Sequence, residues 1–305
     1  MLISSHAIYA TLDAPFIASG WQEAVSPFET TNVNSVTGDG EGKYVAVGSS
    51  GKIATSVNSA LTWSLVASPF SGSNLYSVAY GDGIFIAGGS NGKIATSSDG
   101  ETWTLRASSF GASPILGIVR SDPASLWVAV GAAGKLATSI DGIEWTQRAS
   151  SFGVTFINNV HSSPNLLVAA GFDGKIATST NGTTWTQRSS SFVFSTIFDV
   201  SSNSTGTEYV AVGDSGKIAT SPNGTNWTQI FPTSSFGSSS IKSVGNNTDG
   251  YLAAGSAGKI ATSSPQATSW KQRASGLGLT NINDVYYSDT IGIAVANSGR
   301  IIYSL

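Results

Sequence analysis

Gly92-Lys93-Ile94-Ala95-Thr96-Ser97-Ser98-Asp99-Gly100-Glu101-Thr102-Trp103 decides the fold, because the chain repeats it. The hexad Gly-Lys-Ile-Ala-Thr-Ser also begins at Gly51, Gly174, Gly216 and Gly258. Gly134 opens the variant GKLATS, and Gly299 a divergent seventh copy, GRIIYS. Successive starts lie 41, 42, 40, 42, 42 and 41 residues apart, and a Trp follows each of the first six. A fixed period of this length marks a repeat architecture.

Working outward from that stretch, one period holds four short segments. Leu75 to Val78 is strand A and Ile84 to Ala87 strand B. Ser90-Asn91-Gly92 is a tight turn, Lys93 to Ser97 is strand C, Ser98 to Glu101 a second turn, and Thr102 to Arg106 strand D. β-Branched and aromatic residues bounded by Gly, Asn and Asp are strand-and-turn chemistry, and no segment shows a helical period. Four antiparallel strands per period predict an all-β fold, a seven-bladed β-propeller. Six complete units start at Val33, Leu75, Ile115, Ile157, Ile197 and Ile241. A seventh, from Ile282, has only A, B and C. Ser19-Gly20-Trp21-Gln22-Glu23-Ala24-Val25 matches the missing D strand. The N-terminal strand is therefore expected to complete the last blade, since an open ring would leave two unpaired edges. Residues 17–305 form the propeller on this reading, and residues 1–16 an extension or anchor.

Composition removes several functions. The 305 residues contain no Cys, which excludes disulfides, thiolate metal sites and a cysteine nucleophile. Two histidines, His6 and His161, cannot make a multi-histidine metal site. Charged residues are 11% of the total, against about 25% in ordinary domains, and the net charge is −3. That argues against a nucleic-acid partner, which needs a concentrated basic face. No apolar run approaches the ~20 residues of a membrane helix, and the N-terminus lacks a basic n-region and apolar core. No membrane insertion, signal peptide, metal or cofactor is expected.

The C–D segment resembles the Asp-box, or bacterial neuraminidase repeat. Ser97 to Trp103 (SSDGETW), Ser139 to Trp145 (SIDGIEW), Ser179 to Trp185 (STNGTTW) and Ser221 to Trp227 (SPNGTNW) carry it, one residue shorter than the usual form. Ser56 to Trp63 (SVNSALTW) and Ser263 to Trp270 (SSPQATSW) are degenerate. The resemblance spans nearly the whole sequence. It implies a propeller like those of sialidases, photosystem II assembly factors, sorting receptors and phage-borne proteins. It also implies that the box is a hairpin clasp, its Asp or Asn accepting from turn amides and its Trp packed under a neighbouring strand.

A sialidase-like activity fails on the residues. Such enzymes are similar in fold and use converging arginines. Here Arg106, Arg148, Arg188 and Arg273 share one repeat position on strand D, so symmetry spreads them round the rim. Arg300 replaces a repeat lysine, and only Arg120 is idiosyncratic. Asp199 and Asp284 share an inner-strand position with Ser35, Ser77, Gly117, Asn159 and Ser243, two blades apart. They read as a paired site, or as holding a cation in the central channel with Asn159, or as two polar residues facing channel water. A two-carboxylate hydrolase needs the pair about 5–10 Å apart. His161 reads as a surface residue. No catalytic residue is assigned, and the protein is read as not an enzyme.

Alternating strands put the B–C turns and D–A loops on one face. That face collects a cation from every repeat, Lys52, Lys93, Lys135, Lys175, Lys217, Lys259 and Arg300. It also collects Phe28, Phe70, Phe110, Phe152, Phe192 and Phe236 from the D–A loops, with Leu277 as the seventh. As a ligand-binding ring, aromatics would stack on sugars and cations attract phosphate or carboxylate. As architecture, the same Phe would fill gaps between blades, and the lysines would keep hairpin tips soluble. The A–B loops differ from blade to blade and are a second place for an asymmetric partner.

These readings converge on a non-enzymatic binding module on a virion or cell exterior, recognising surface carbohydrate or an anionic polymer. Its assembly would be cytoplasmic, without a signal peptide. The alternative is a structural decoration, tail or assembly protein that docks onto another virion or structural protein. A glycoside hydrolase ranks last.

Overall fold

The computed structural model describes residues 20–230 and 235–305; the proposed extension 1–16 and His6 lie outside the described residues. Seven four-stranded antiparallel sheets form the seven blades, each in the order A-B-C-D. Blade 2 is representative, with strands Leu75–Gly81, Ile84–Gly89, Ile94–Ser97 and Thr104–Arg106. The A strands, innermost, are Val33–Gly38, Leu75–Gly81, Ile115–Ser121, Ile157–Ser162, Ile197–Ser202, Ile241–Asn247 and Ile282–Tyr287, the starts expected from the repeat. Blade 7 pairs Gln22–Glu23 against Ile301–Ser304, with Gln22 opposite Tyr303. The protein thus closes its own ring.

Each B–C turn places both central residues in the left-handed region. In blade 2 these are Asn91 (φ 57°) and Gly92 (φ 62°), the type I′ pattern that suits two-residue hairpins. Glycine is required at the second position for a further reason. A Cβ on Gly92 would come 2.3 Å from the Gly111 carbonyl oxygen, because the turn presses on the next D–A loop. Lys93 closes this turn, its N–H bonding Ser90 O at 3.2 Å, so strand C begins at Ile94 rather than at the lysine.

The C–D turns show the hydrogen bonding expected of the clasp. Asp99 Oδ1 accepts from the amides of Thr102 (2.7 Å) and Glu101 (2.8 Å), and Trp103 Nε1 donates to Gly100 O. These bonds, that of Thr102 first, hold the Asp99 carboxyl below the usual range. Asn58 makes the same turn in the degenerate first copy, and Ala60 there takes φ 62°. In the sixth copy Pro265 removes the side-chain acceptor of the turn, and the buried Trp270 Nε1 has no partner among the described residues.

The core is divided into seven apolar clusters, one at every blade junction. The cluster between blades 3 and 4 joins Val128, Val130 and Leu136 to Phe152, Ile157, Leu167 and Trp185.

Candidate functional site

The six loop phenylalanines are not a stacking surface. Phe28, Phe70, Phe110, Phe152, Phe192 and Phe236, with Leu277, are 0–2% exposed and wedge into the junction clusters. Burying each ring stabilises its junction by about 2–3 kcal/mol. The ligand-binding expectation for these rings is corrected by that burial.

The seven cations serve the same junctions. Lys52 Nζ donates to Phe28 O (3.1 Å), Lys93 to Phe70 O (2.9 Å) and Lys135 to Phe110 O (2.6 Å). Lys175 donates to Phe152 O (3.0 Å), Lys217 to Phe192 O (3.3 Å) and Lys259 to Phe236 O (2.6 Å). Arg300 Nη1 donates to Leu277 O (3.1 Å). Each cation ties strand C to the loop that enters its own blade. Charge-assisted bonds to a carbonyl are the strong kind, so these groups are committed to holding loops rather than presented as a basic ring.

The aspartates are joined rather than solvated. The Ser243 hydroxyl lies 2.9 Å from Asp199 Oδ2 and 2.8 Å from Asp284 Oδ1. Asp199 Oδ2 also accepts from Val244 N (2.8 Å), and Asp284 Oδ2 from Val36 N (3.1 Å). Ser35 and Ser77 repeat the pattern, accepting from Val78 N and Ile118 N of the next blade. The inner edge of an A strand carries N–H groups without a ladder partner. In blades 1, 2, 3, 6 and 7 the side chain of the preceding blade satisfies one of them, while Val200 N of blade 5 bonds Asp199 of its own blade. This girdle corrects the picture of two residues in channel water, with the Ser243 hydroxyl bridging the pair. Burial, then the nearby Asp284, pushes Asp199 up to about 7, and burial raises Asp284 as well.

His161 differs from the surface position expected of it, and Arg120 is held by its own blade and the one before. His161 is half-buried, its Nε2 2.9 Å from Ser202 Oγ of the next blade, and burial pulls its pKa down to about 4. Arg120 lies near the end of strand A and binds Asp82, Ser121 O and Leu126 O. Arg106, Arg148, Arg188 and Arg273 each bond a Thr on their own strand C, and so do not converge.

The A–B loops bind themselves. Asp39 accepts from the amides of Glu41 and Lys43, Asn203 from Thr207 and Glu208, and Asn247 from Asp249 and Gly250.

Asymmetry with chemical content lies instead on the D–A and B–C face, around blade 4. Val154 (84% exposed) and Phe156 belong to the loop entering that blade, and Phe172 to its B–C turn. Val193 (66%) and Phe194 (85%) belong to the loop leaving it. The Phe156 and Phe172 rings sit 5.3 Å apart. A Cβ on Gly174, in the same turn, would meet Val193 O at 2.2 Å, so the three segments are contiguous. Val193 takes φ 58°, where the equivalent loop positions of four blades have glycine. A β-branched residue there is a genuine outlier.

The second A-strand residues, Asn34, Tyr76, Leu116, Asn158, Phe198, Lys242 and Asn283, are all half-buried at the adjoining channel mouth. Asn34, Asn158 and Asn283 staple neighbouring blades through Leu75 O, Ile197 O and Val33 O. Lys242 Nζ stands 3.3 Å over the Phe198 ring. Aligning the seven loops by repeat register would have exposed the apolar substitutions, and Lys242 as the one charge at its position.

No family model matches the sequence, and no curated protein matches it. Solved structures match it in shape. YCF48 bound to a D1 peptide superposes with TM-score 0.75 at 16% identity, over 93% of this chain and 96% of that one. YCF48 from Cyanidioschyzon merolae gives 0.74 at 15%, over 93% and 98%. The WD40 propeller domain of Doa1 gives 0.75 at 13%, over 94% and 97%. At such identities the likeness establishes a seven-bladed β-propeller.

Proposed function

We propose that this propeller is a non-enzymatic docking module whose D–A and B–C face receives a protein segment. The carrying observation is the contiguous apolar rim of blade 4, Val154, Phe156, Phe172, Val193 and Phe194, on a face whose other exposed large apolar side chain among the described residues is the lone Leu279 of the loop entering blade 7. Contiguous exposed apolar side chains mark interaction surfaces. Strain retained at an exposed Val193 points the same way, since no burial compensates it. The similar fold of a YCF48 that is seen with a bound peptide supports this reading over a carbohydrate one. So does the commitment of the Phe and Lys rings to blade junctions.

A synthetic library of short peptides, incubated with the purified protein, tests it. Retained peptides should bind tenfold or more weakly to Phe194→Ser, a loss of about 1.4 kcal/mol, while Val57→Ser on the opposite face binds normally. Saturable binding on a glycan array with an empty peptide screen would return the carbohydrate reading.

A further inference from the structure

Every one of the seven repeat cations is tied to a loop carbonyl, whereas Lys242 has no hydrogen-bond acceptor among the described residues. Its ammonium rests on the Phe198 ring, half-buried at the channel mouth between blades 5 and 6. Asp214 acts on it from the blade 5 turn but is more than 4.0 Å away, and its Oδ1 accepts from Ser240 Oγ. Burial weakens the charged form of this lysine. A partly desolvated ammonium with unused N–H groups is stabilised by an incoming anion more than a surface lysine would be.

The position fits the docking rim. Phe194 and Phe198 are four residues apart in sequence, so their Cα atoms are separated by at most about 14 Å, and the ammonium lies on the Phe198 ring. We infer that the face reads a carboxylate through Lys242 on a segment whose apolar side chains lie on Val193 and Phe194. The partner is then an extended protein segment with an acidic group within about four residues of its apolar anchor. This rests on the docking reading. It adds the partner's chemistry.

The shared chemistry is a carboxylate, from an Asp or Glu side chain or from the segment's own C-terminus. The experiment uses the full-length protein and peptides retained from the library, each made with free and with amidated C-terminus and with Glu→Gln or Asp→Asn changes. Lys242→Met keeps the stem over Phe198 and removes the charge. It should weaken binding about tenfold, equivalent to 1.4 kcal/mol, and abolish the salt dependence. On that variant neutralising the peptide carboxylate should cost nothing further. Loss on amidation identifies the C-terminus as the source, and loss on Glu→Gln the side chain. Thermal melting of Lys242→Met within a degree of the parent keeps the comparison valid; Lys242→Arg, which retains the charge, should restore binding if melting shifts. If Phe194→Ser abolishes binding while Lys242→Met does not, the carboxylate reading falls and docking stands. If no peptide is retained, both fall.

Discussion

Blade 7 and blade 4 grow from one repeat and are fastened to their neighbours differently. Blade 7 has no continuous backbone across its seam, and polar groups concentrate there. Arg300 forks onto Glu23 of the closing strand at 2.7 and 2.9 Å, which holds the Glu23 carboxyl below its usual range. Asp284 reaches Val36 N, Asn283 reaches Val33 O, and Asn32 Oδ1 accepts from Ser298 N. Blade 4 meets its neighbours with fewer such bonds. At the girdle position Gly117 has no side chain, and a Cβ there would meet Asn159 Cα at 3.1 Å. The Asn that caps the preceding blade's turn at Asn32, Asn74 and Asn281 is Phe156 before blade 4 and Thr196 after it. Covalent continuity already holds blade 4, so its loops are free to carry an apolar rim.

The largest effect should come from breaking the girdle at the seam. Asp284→Ala leaves Val36 N without its acceptor and is expected to cost about 3 kcal/mol in urea unfolding. Asn159→Ala, the same position in blade 4, should cost under about 0.5 kcal/mol. Equal losses would erase the distinction between the two blades.

Next is pH. Asp199 titrates near 7 in the fold and in the ordinary carboxylate range when unfolded, so the folded state binds the extra proton between those values. Stability is therefore fully present below the unfolded pKa, near 4, and falls as pH rises through 7, by on the order of 2 kcal/mol between pH 5 and pH 8. Ser243 has one proton for two carboxylates, so an ionised pair cannot both be satisfied by it. Asp199→Asn should flatten the melting-temperature profile over that range. An unchanged slope would show that Asp199 is not the group that titrates over that range.

The ring cations should behave alike in both regions. Lys135→Met removes one charge-assisted bond to Phe110 O and should cost about 1 kcal/mol. It should leave peptide binding untouched. A binding loss without a stability loss would restore the basic ring as a recognition surface.

How much of this is legible in the sequence follows from what each residue asks of its neighbours. The blades are readable because the Asn91–Gly92 turn and the Ser97–Trp103 clasp are local, and local chemistry repeats visibly. Closure is readable from Trp21 alone. The Lys and Phe rings stand at the expected positions, but their direction depends on the adjacent blade. One signal did exist: Leu277 in the seventh copy shows that the site requires bulk, not an aromatic face. The Asp199–Ser243–Asp284 bridge spans three blades and leaves no trace in sequence spacing beyond a shared repeat position. Blade 4's rim is hidden from a reading that looks for asymmetry in the A–B loops, because the informative departures replace Gly, Ser and Asn in the D–A loops.

The smallest expected effect tests whether that rim is retained for function. Val193→Gly places at φ 58° the residue that sits at the equivalent position in blades whose loops contain Gly111, Gly153, Gly237 or Gly278. The valine side chain is exposed, so its removal loses little apolar burial, while the strain of a β-branched residue in the left-handed region is relieved. Greater freedom of glycine in the unfolded state offsets part of that gain. The variant should therefore be about 0.5 kcal/mol more stable than the parent, with a midpoint shift in urea at constant slope, and bind the retained peptides more weakly. A variant more stable and less able to bind would show blade 4 holding strain for recognition. A destabilised variant would place Val193 among the groups that hold the loop, as Asp284 holds the seam, and the contrast between the blades would narrow to the girdle alone.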